Sequence, residues 1–96
     1  MDLDNMIKVW ETAWDKFGPE SQKQMAIEEL AELIVAISHH MREREGSYDN
    51  VAEEIADTWI MLHQLMYGLG NQGIVQWWLK NKTKKLDQKL KACTND

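Results

Sequence analysis

The stretch AIEELAELIVAISHHMREREGSYDNVAEEIADTWIMLHQL, residues 26–65, decides the fold. It reads as most of two helices. The first runs to about Arg44 and is stopped by Gly46. The second is opened by Asn50 with Glu53 in a capping-box arrangement and continues to about Tyr67. Each helix carries an acidic motif, Glu28-Glu29-Leu30-Ala31-Glu32 in one and Glu53-Glu54-Ile55-Ala56-Asp57 in the other. Glu29 and Glu32 are three apart, as are Glu54 and Asp57, so each pair shares a helix face. One turn beyond Glu29 and Glu32 come Val35 and Ala36, and beyond Glu54 and Asp57 come Met61 and Leu65. Each acidic pair therefore lies on a stripe that turns apolar, at the edge of a core. A solvated face would continue with Lys, Gln and Ser.

Outward from this pair the pattern stays helical. Leu3, Met6, Ile7, Trp10, Trp14 and Phe17 recur at steps of three and four, which predicts an amphipathic helix over 3–17. Gly18-Pro19 ends it and places Pro in the first turn of the next helix. Gly68, Gly70, Asn71 and Gly73 predict a loop, with Gly68 and Gly70 as helix-ending residues, and a fourth helix follows from about Ile74 to Lys91. No β-rich alternation, internal repeat or linker interrupts the chain. The expectation is an all-α, four-helix bundle-like unit, one domain over 1–96, with antiparallel neighbours joined by short loops. A 96-residue chain buries a modest core, and five Trp with six Met are generous for it. Self-association is the expected outlet for that apolar surface.

A single cysteine, Cys93, excludes an internal disulfide and a cysteine-based zinc site, in keeping with a reducing cytoplasm. The N-terminus opens with Asp2 and Asp4 and no long apolar run, so no signal peptide is expected. No apolar stretch approaches the roughly 20 residues that span a bilayer. The net charge of −5 is asymmetric: fourteen of the sixteen acidic residues precede residue 68, and six of the eleven basic ones lie between Lys80 and Lys91. Such a lysine run is commonly a solvated helix face. An acidic domain around it repels a nucleic-acid polymer. A small phosphate-bearing ligand held through a metal escapes that repulsion.

Two helices packed through the acidic stripes bring four carboxylates together. Like charges in a partly desolvated site are unfavourable unless they are protonated or bind cations. All-oxygen ligation with open positions suits Mg²⁺, with Mn²⁺ as a substitute. A single such motif is most often a salt-bridging surface turn. Two of them on neighbouring helices, each running into an apolar stripe, favour a metal site.

The order Glu28, Glu29, Glu32, then 21 residues, then Glu54 and Asp57 resembles the MazG-like, all-α nucleotide pyrophosphohydrolases. Phe17-Gly18, AIEELAELI and EEIADTWIMLHQL carry the likeness further, over roughly residues 14–90. The resemblance implies Mg²⁺-dependent hydrolysis of a nucleoside triphosphate to monophosphate and pyrophosphate, in a homodimer or homotetramer. It implies Glu29, Glu32, Glu54 and Asp57 as metal ligands, with Glu28 as an accessory residue that orients or deprotonates water. Glu28 and Glu29 are thus the catalytic candidates. Lys82 and Lys85, three apart on the fourth helix, resemble the family's phosphate-binding basic positions, with Lys in place of the frequent Arg. Trp10, Trp14 and Gln22 are candidates to contact the base, beside the plainer expectation that the tryptophans are core or subunit-contact residues and Gln22 solvent-exposed. His39, His40 and His63 lack the Glu-x-x-His pattern of a di-iron bundle, since Ala36 and Ile60 stand three before His39 and His63. Two alternatives stand beside the hydrolase: an enzyme acting on another diphosphate-linked substrate, and a non-catalytic helical interaction module.

Overall fold

The computed structural model describes residues 1–94 and holds, among them, four α-helices and no strand. These are α1 (Leu3–Phe17), α2 (Pro19–Met41), α3 (Ser47–Leu69) and α4 (Gln72–Thr94). Asp2 caps α1, its Oδ1 accepting the Asn5 N–H at 2.9 Å. Gly18 sits at φ 90° and ψ 158°, a conformation essentially reserved for glycine, and so turns α1 into α2 with no intervening loop. Pro19 follows at the first position of α2, where its missing N–H costs nothing.

Three boundaries differ from the sequence expectation. α2 ends at Met41 rather than near Arg44, because the Arg42 and Glu43 N–H groups tighten onto the His39 and His40 carbonyls three residues back and Glu43 enters the left-handed region at φ 55°. α3 opens at Ser47 behind Gly46, which offers no side-chain cap, so Asn50 and Glu53 lie within its first two turns and form no capping box. The loop expected over 68–73 shrinks to Gly70-Asn71: Gly68 is inside α3 and Gly73 is in the first turn of α4. Gly70, at φ 66°, is the helix terminator. Gly68 is there for space, since any Cβ at that position would strike the Trp14 indole.

The helix pairings follow from a few polar contacts. Gln22 meets Gln64 at one end of α2 and α3, and His40 meets Ser47 at the other, so these helices run antiparallel. Glu11 pairs with His63 and Asp15 with Tyr67, so α1 runs parallel to α3. Between α2 and α3 the closest-packed positions include Ala26 and Ala36, whose small side chains let the backbones approach. Trp14 and Met61 complete the buried apolar set.

α4 behaves differently. It packs against α3 alone and approaches neither α1 nor α2, and none of its described side chains is buried. The four helices are present as expected, but within one chain the fourth does not close a bundle. Apolar residues at steps of three and four stay exposed on α2 (Ile27, Leu30, Ile34, Ile37) and on α3 (Ile55, Trp59, Leu62). Ile34 is 68% and Trp59 66% exposed. The chain presents 7714 Å² to solvent, whereas a compact monomer of its mass presents about 5,700 Å². Its radius of gyration, 16.8 Å, exceeds the roughly 12.5 Å expected of a compact domain of this length. No described helix is long and apolar enough to cross a membrane.

Candidate metal centre

The antiparallel register of α2 and α3 sets Glu29 across from the Glu54–Asp57 face, midway between the Gln22–Gln64 and His40–Ser47 contacts. Oxygens of Glu29, Glu54 and Asp57 all lie within 4.8 Å of one another. Glu32 lies close enough for its charge to act on both Glu29 and Glu54. The four carboxylates expected from the sequence are therefore brought together, three as a tight cluster and Glu32 at its exposed edge. Glu28 and Glu53 point to solvent.

The environment of this cluster sets its electrostatics. One oxygen of Glu29 and one of Glu54 are buried and have no hydrogen-bond partner. Burial first, and then the charges of Glu32, Asp57 and Glu54, push the Glu29 carboxyl up from 4.5 to about 7. Glu54 moves in the same direction, through desolvation and then through Glu32, Asp57 and Glu53. Both shifts favour the protonated carboxyl, which relieves the repulsion when no cation is bound. A divalent cation removes the same repulsion without that proton. The donor set is all oxygen, half-buried and short of partners, which fits Mg²⁺ or Mn²⁺. Oxygens spanning an octahedral Mg²⁺ lie about 4.2 Å apart at most, so the three oxygens would need only a small contraction to share one ion.

Beside the carboxylates lies a cleft of about 290 Å³, lined by Glu32, Glu54, His39, Asn50, Val35 and Ala36 among others. Pockets that enclose a small-molecule ligand start near 300 Å³ and rise to about 1,000 Å³. The cleft of a single chain is thus at the bottom of that range. No family model, curated protein or solved structure matches the chain. The reading of the site therefore stands on its own geometry and on the motif pattern.

The other sequence candidates fall elsewhere. Lys82 and Lys85 sit on α4, which does not approach α2. Trp14 is buried against Gly68. Gln22 is buried rather than exposed: its Nε2 donates to Gln64 Oε1 at 2.9 Å, and Gln64 in turn donates to the Trp10 carbonyl. These side chains are engaged in contacts between helices. Trp10 is half-buried, edge-on to His63 at 5.5 Å. His40 bonds to Ser47 and His63 to Glu11, so two of the three histidines are tied to the helix scaffold. One residue was missed by the sequence reading. Thr58, 6% exposed, holds a hydroxyl with no partner directly after Asp57 and one turn beyond Glu54. Its place on the Glu54 stripe was the available signal.

Proposed function

We propose that this chain is a Mg²⁺-dependent nucleoside triphosphate pyrophosphohydrolase. The observation that carries the reading is the convergence of Glu29, Glu54 and Asp57 with two buried carboxylate oxygens left unpartnered. A cluster of that kind is costly unless a cation completes it. The motif order Glu28-Glu29-x-x-Glu32, then Glu54-x-x-Asp57, adds the substrate class by resemblance.

In this reading Glu29, Glu32, Glu54 and Asp57 would hold the cation. When bound, Mg²⁺ offsets triphosphate charge and acidifies a water. Glu28, solvent-exposed next to Glu29, orients that water and accepts its proton. The water oxygen bonds to the α-phosphorus as the α–β bridging bond breaks, giving nucleoside monophosphate and pyrophosphate. Lys82 and Lys85 offset the charge of the leaving group. The reading includes a homodimer or dimer of dimers, in keeping with the exposed apolar stripes of α2 and α3, and a reducing cytoplasm, in keeping with the free Cys93.

The test is pyrophosphate release from a panel of NTPs and dNTPs with Mg²⁺, run beside Glu54→Ala. Equal amounts of monophosphate and pyrophosphate, reduced roughly 100-fold or more in the variant, are expected. Silence across the panel with both Mg²⁺ and Mn²⁺ would remove the nucleotide assignment. The exposed stripes themselves favour one second reading, a non-catalytic interaction module. Millimolar Mg²⁺ raises the melting temperature of a metal enzyme, an effect lost in Asp57→Ala, and leaves an interaction module unchanged.

A further inference from the structure

Among the described residues, four buried side-chain oxygens have no hydrogen-bond partner: Glu29 Oε2, Glu54 Oε2, Thr58 Oγ1 and Asn71 Oδ1. Asn71 belongs to the turn between α3 and α4, whereas the other three fall at one level of the α2–α3 contact. The register gives that level from both ends. Thr58 is six residues before Gln64, and Glu28 is six after Gln22. Thr58 is also eleven residues after Ser47, and Glu29 is eleven before His40. Thr58 shares the buried set of α3 with Ser47 and Gln64, the two residues that bond to α2. It is therefore level with Glu29 across the contact, and one turn along its own helix from Glu54.

Thr58 is 6% exposed, and its hydroxyl lacks the bond that a helical threonine makes most easily. A threonine Oγ in a helix can donate to the carbonyl three or four residues back. Thr12 does so in this chain, its Oγ1 donating to the Lys8 carbonyl at 2.7 Å. Thr58 has the Glu54 and Ile55 carbonyls at those positions and bonds to neither. A hydroxyl buried in that state costs stability, and valine would fill the same shape without that cost. The chain thus carries a donor where packing alone favours an apolar side chain. Of the three oxygens at this level, the Thr58 hydroxyl can donate, and the two carboxylate oxygens accept. Carboxylates that ligate a metal are commonly held in place by such donors.

We propose that Thr58 is a positioning residue of the carboxylate cluster, its hydroxyl donating to Glu29 when the cluster holds a divalent cation. This rests on the cation-binding part of the function proposed above and not on the nucleotide. The bond would cross from α3 to α2 and fix the Glu29 carboxylate relative to Glu54 and Asp57. Thr58 touches neither cation nor substrate and acts through Glu29.

Stability and cation affinity are measured separately on the full chain, for the wild type, Thr58→Val and Thr58→Ser. Melting followed by circular dichroism in excess chelator reports the cation-free fold. Electron paramagnetic resonance of free Mn²⁺ gives the dissociation constant. Thr58→Val should melt several degrees above the wild type in chelator, because an unpartnered hydroxyl is gone. The same variant should bind Mn²⁺ about 10-fold more weakly or worse. Thr58→Ser retains the hydroxyl and should bind Mn²⁺ as the wild type does. A residue that only packs would change stability and leave affinity alone. Equal affinity in the wild type and Thr58→Val, or a loss that Thr58→Ser does not restore, would overturn the role of Thr58 and leave the cation site standing. Thr58→Val melting below the wild type in chelator would also overturn it, since the hydroxyl would then be satisfied without a cation. A wild type that binds no Mn²⁺ removes the cation site and the role of Thr58 together, so the two failures are told apart.

Discussion

At the residue scale the decisive group is Glu29. Its carboxyl titrates at about 7 in the folded chain against an ordinary 4.5, because α2 and α3 close over it and three carboxylates face it. Between those two values the folded state binds more protons than the unfolded one, so stability falls as pH rises. The contribution is fully present below about pH 4.5 and is lost by the time pH passes 7. The cation-free protein should therefore melt several degrees lower at pH 8 than at pH 5, and Mg²⁺ at pH 8 should recover the difference. Glu29→Gln, isosteric and uncharged, should flatten the profile. Differential scanning calorimetry across this range checks both, and a wild-type profile already as flat as the variant's would contradict the assigned cause. Much of this cluster was legible in advance, because i, i+3 spacing fixes which carboxylates share a face whatever the tertiary structure. The fates of Gln22 and Trp14 were not. Their partners, Gln64 and Gly68, lie 42 and 54 residues away, and no local pattern encodes that pairing.

Among the elements, α1 shows how a helix is keyed to its neighbour. It is held on α3 by Glu11–His63 at 2.9 Å, by Tyr67 donating to Asp15 at 2.7 Å, and by the Trp14 indole set against the bare backbone of Gly68. The half-buried Glu11–His63 contact is one polar link; the close approach at Gly68 sets the fit. Gly68→Ala should cost about 1–3 kcal/mol by forcing the indole aside. Gly73→Ala, on a helix with open space around it, should be neutral or stabilise by up to about 1 kcal/mol. Chemical denaturation of the two variants tests the contrast, and equal effects would mean that Trp14 can move freely. The same pair shows why this part of the chain read as a loop. Four loop-forming residues within six positions look alike in sequence, yet only Gly70 takes a positive φ among 68–73. Gly68 is small for a contact and Gly73 is simply tolerated. The Asn50–Glu53 motif misled for a related reason: Gly46 already supplied the turn, so the helix began a turn earlier than its best capping residue.

For the whole molecule the governing fact is that folding of one chain leaves too much apolar surface outside. Among the described residues, Trp14, Ala26, Ala36 and Met61 form the buried apolar set, while apolar stripes on α2, α3 and α4 face solvent. Helix number and order were readable from periodicity, but how a stripe divides between the chain's own core and a second copy was not. Both uses have the same spacing. If the folded state is an assembly, its stability includes the association free energy and depends on protein concentration by mass action. Each tenfold dilution then removes about 1.4 kcal/mol per mole of dimer. For roughly 190 residues unfolding together, one kcal/mol corresponds to about 2–4 °C. A hundredfold dilution should therefore lower the melting temperature by about 5–10 °C. Tryptophan emission should shift to the red over the same range as Trp59 and Trp78 lose their cover. A melting temperature independent of concentration, with emission already that of exposed indole at the highest concentration, would mean that the single chain is stable with its stripes in water. In that case the proposed homodimer falls, and the carboxylate cluster must do its work with the residues of one chain.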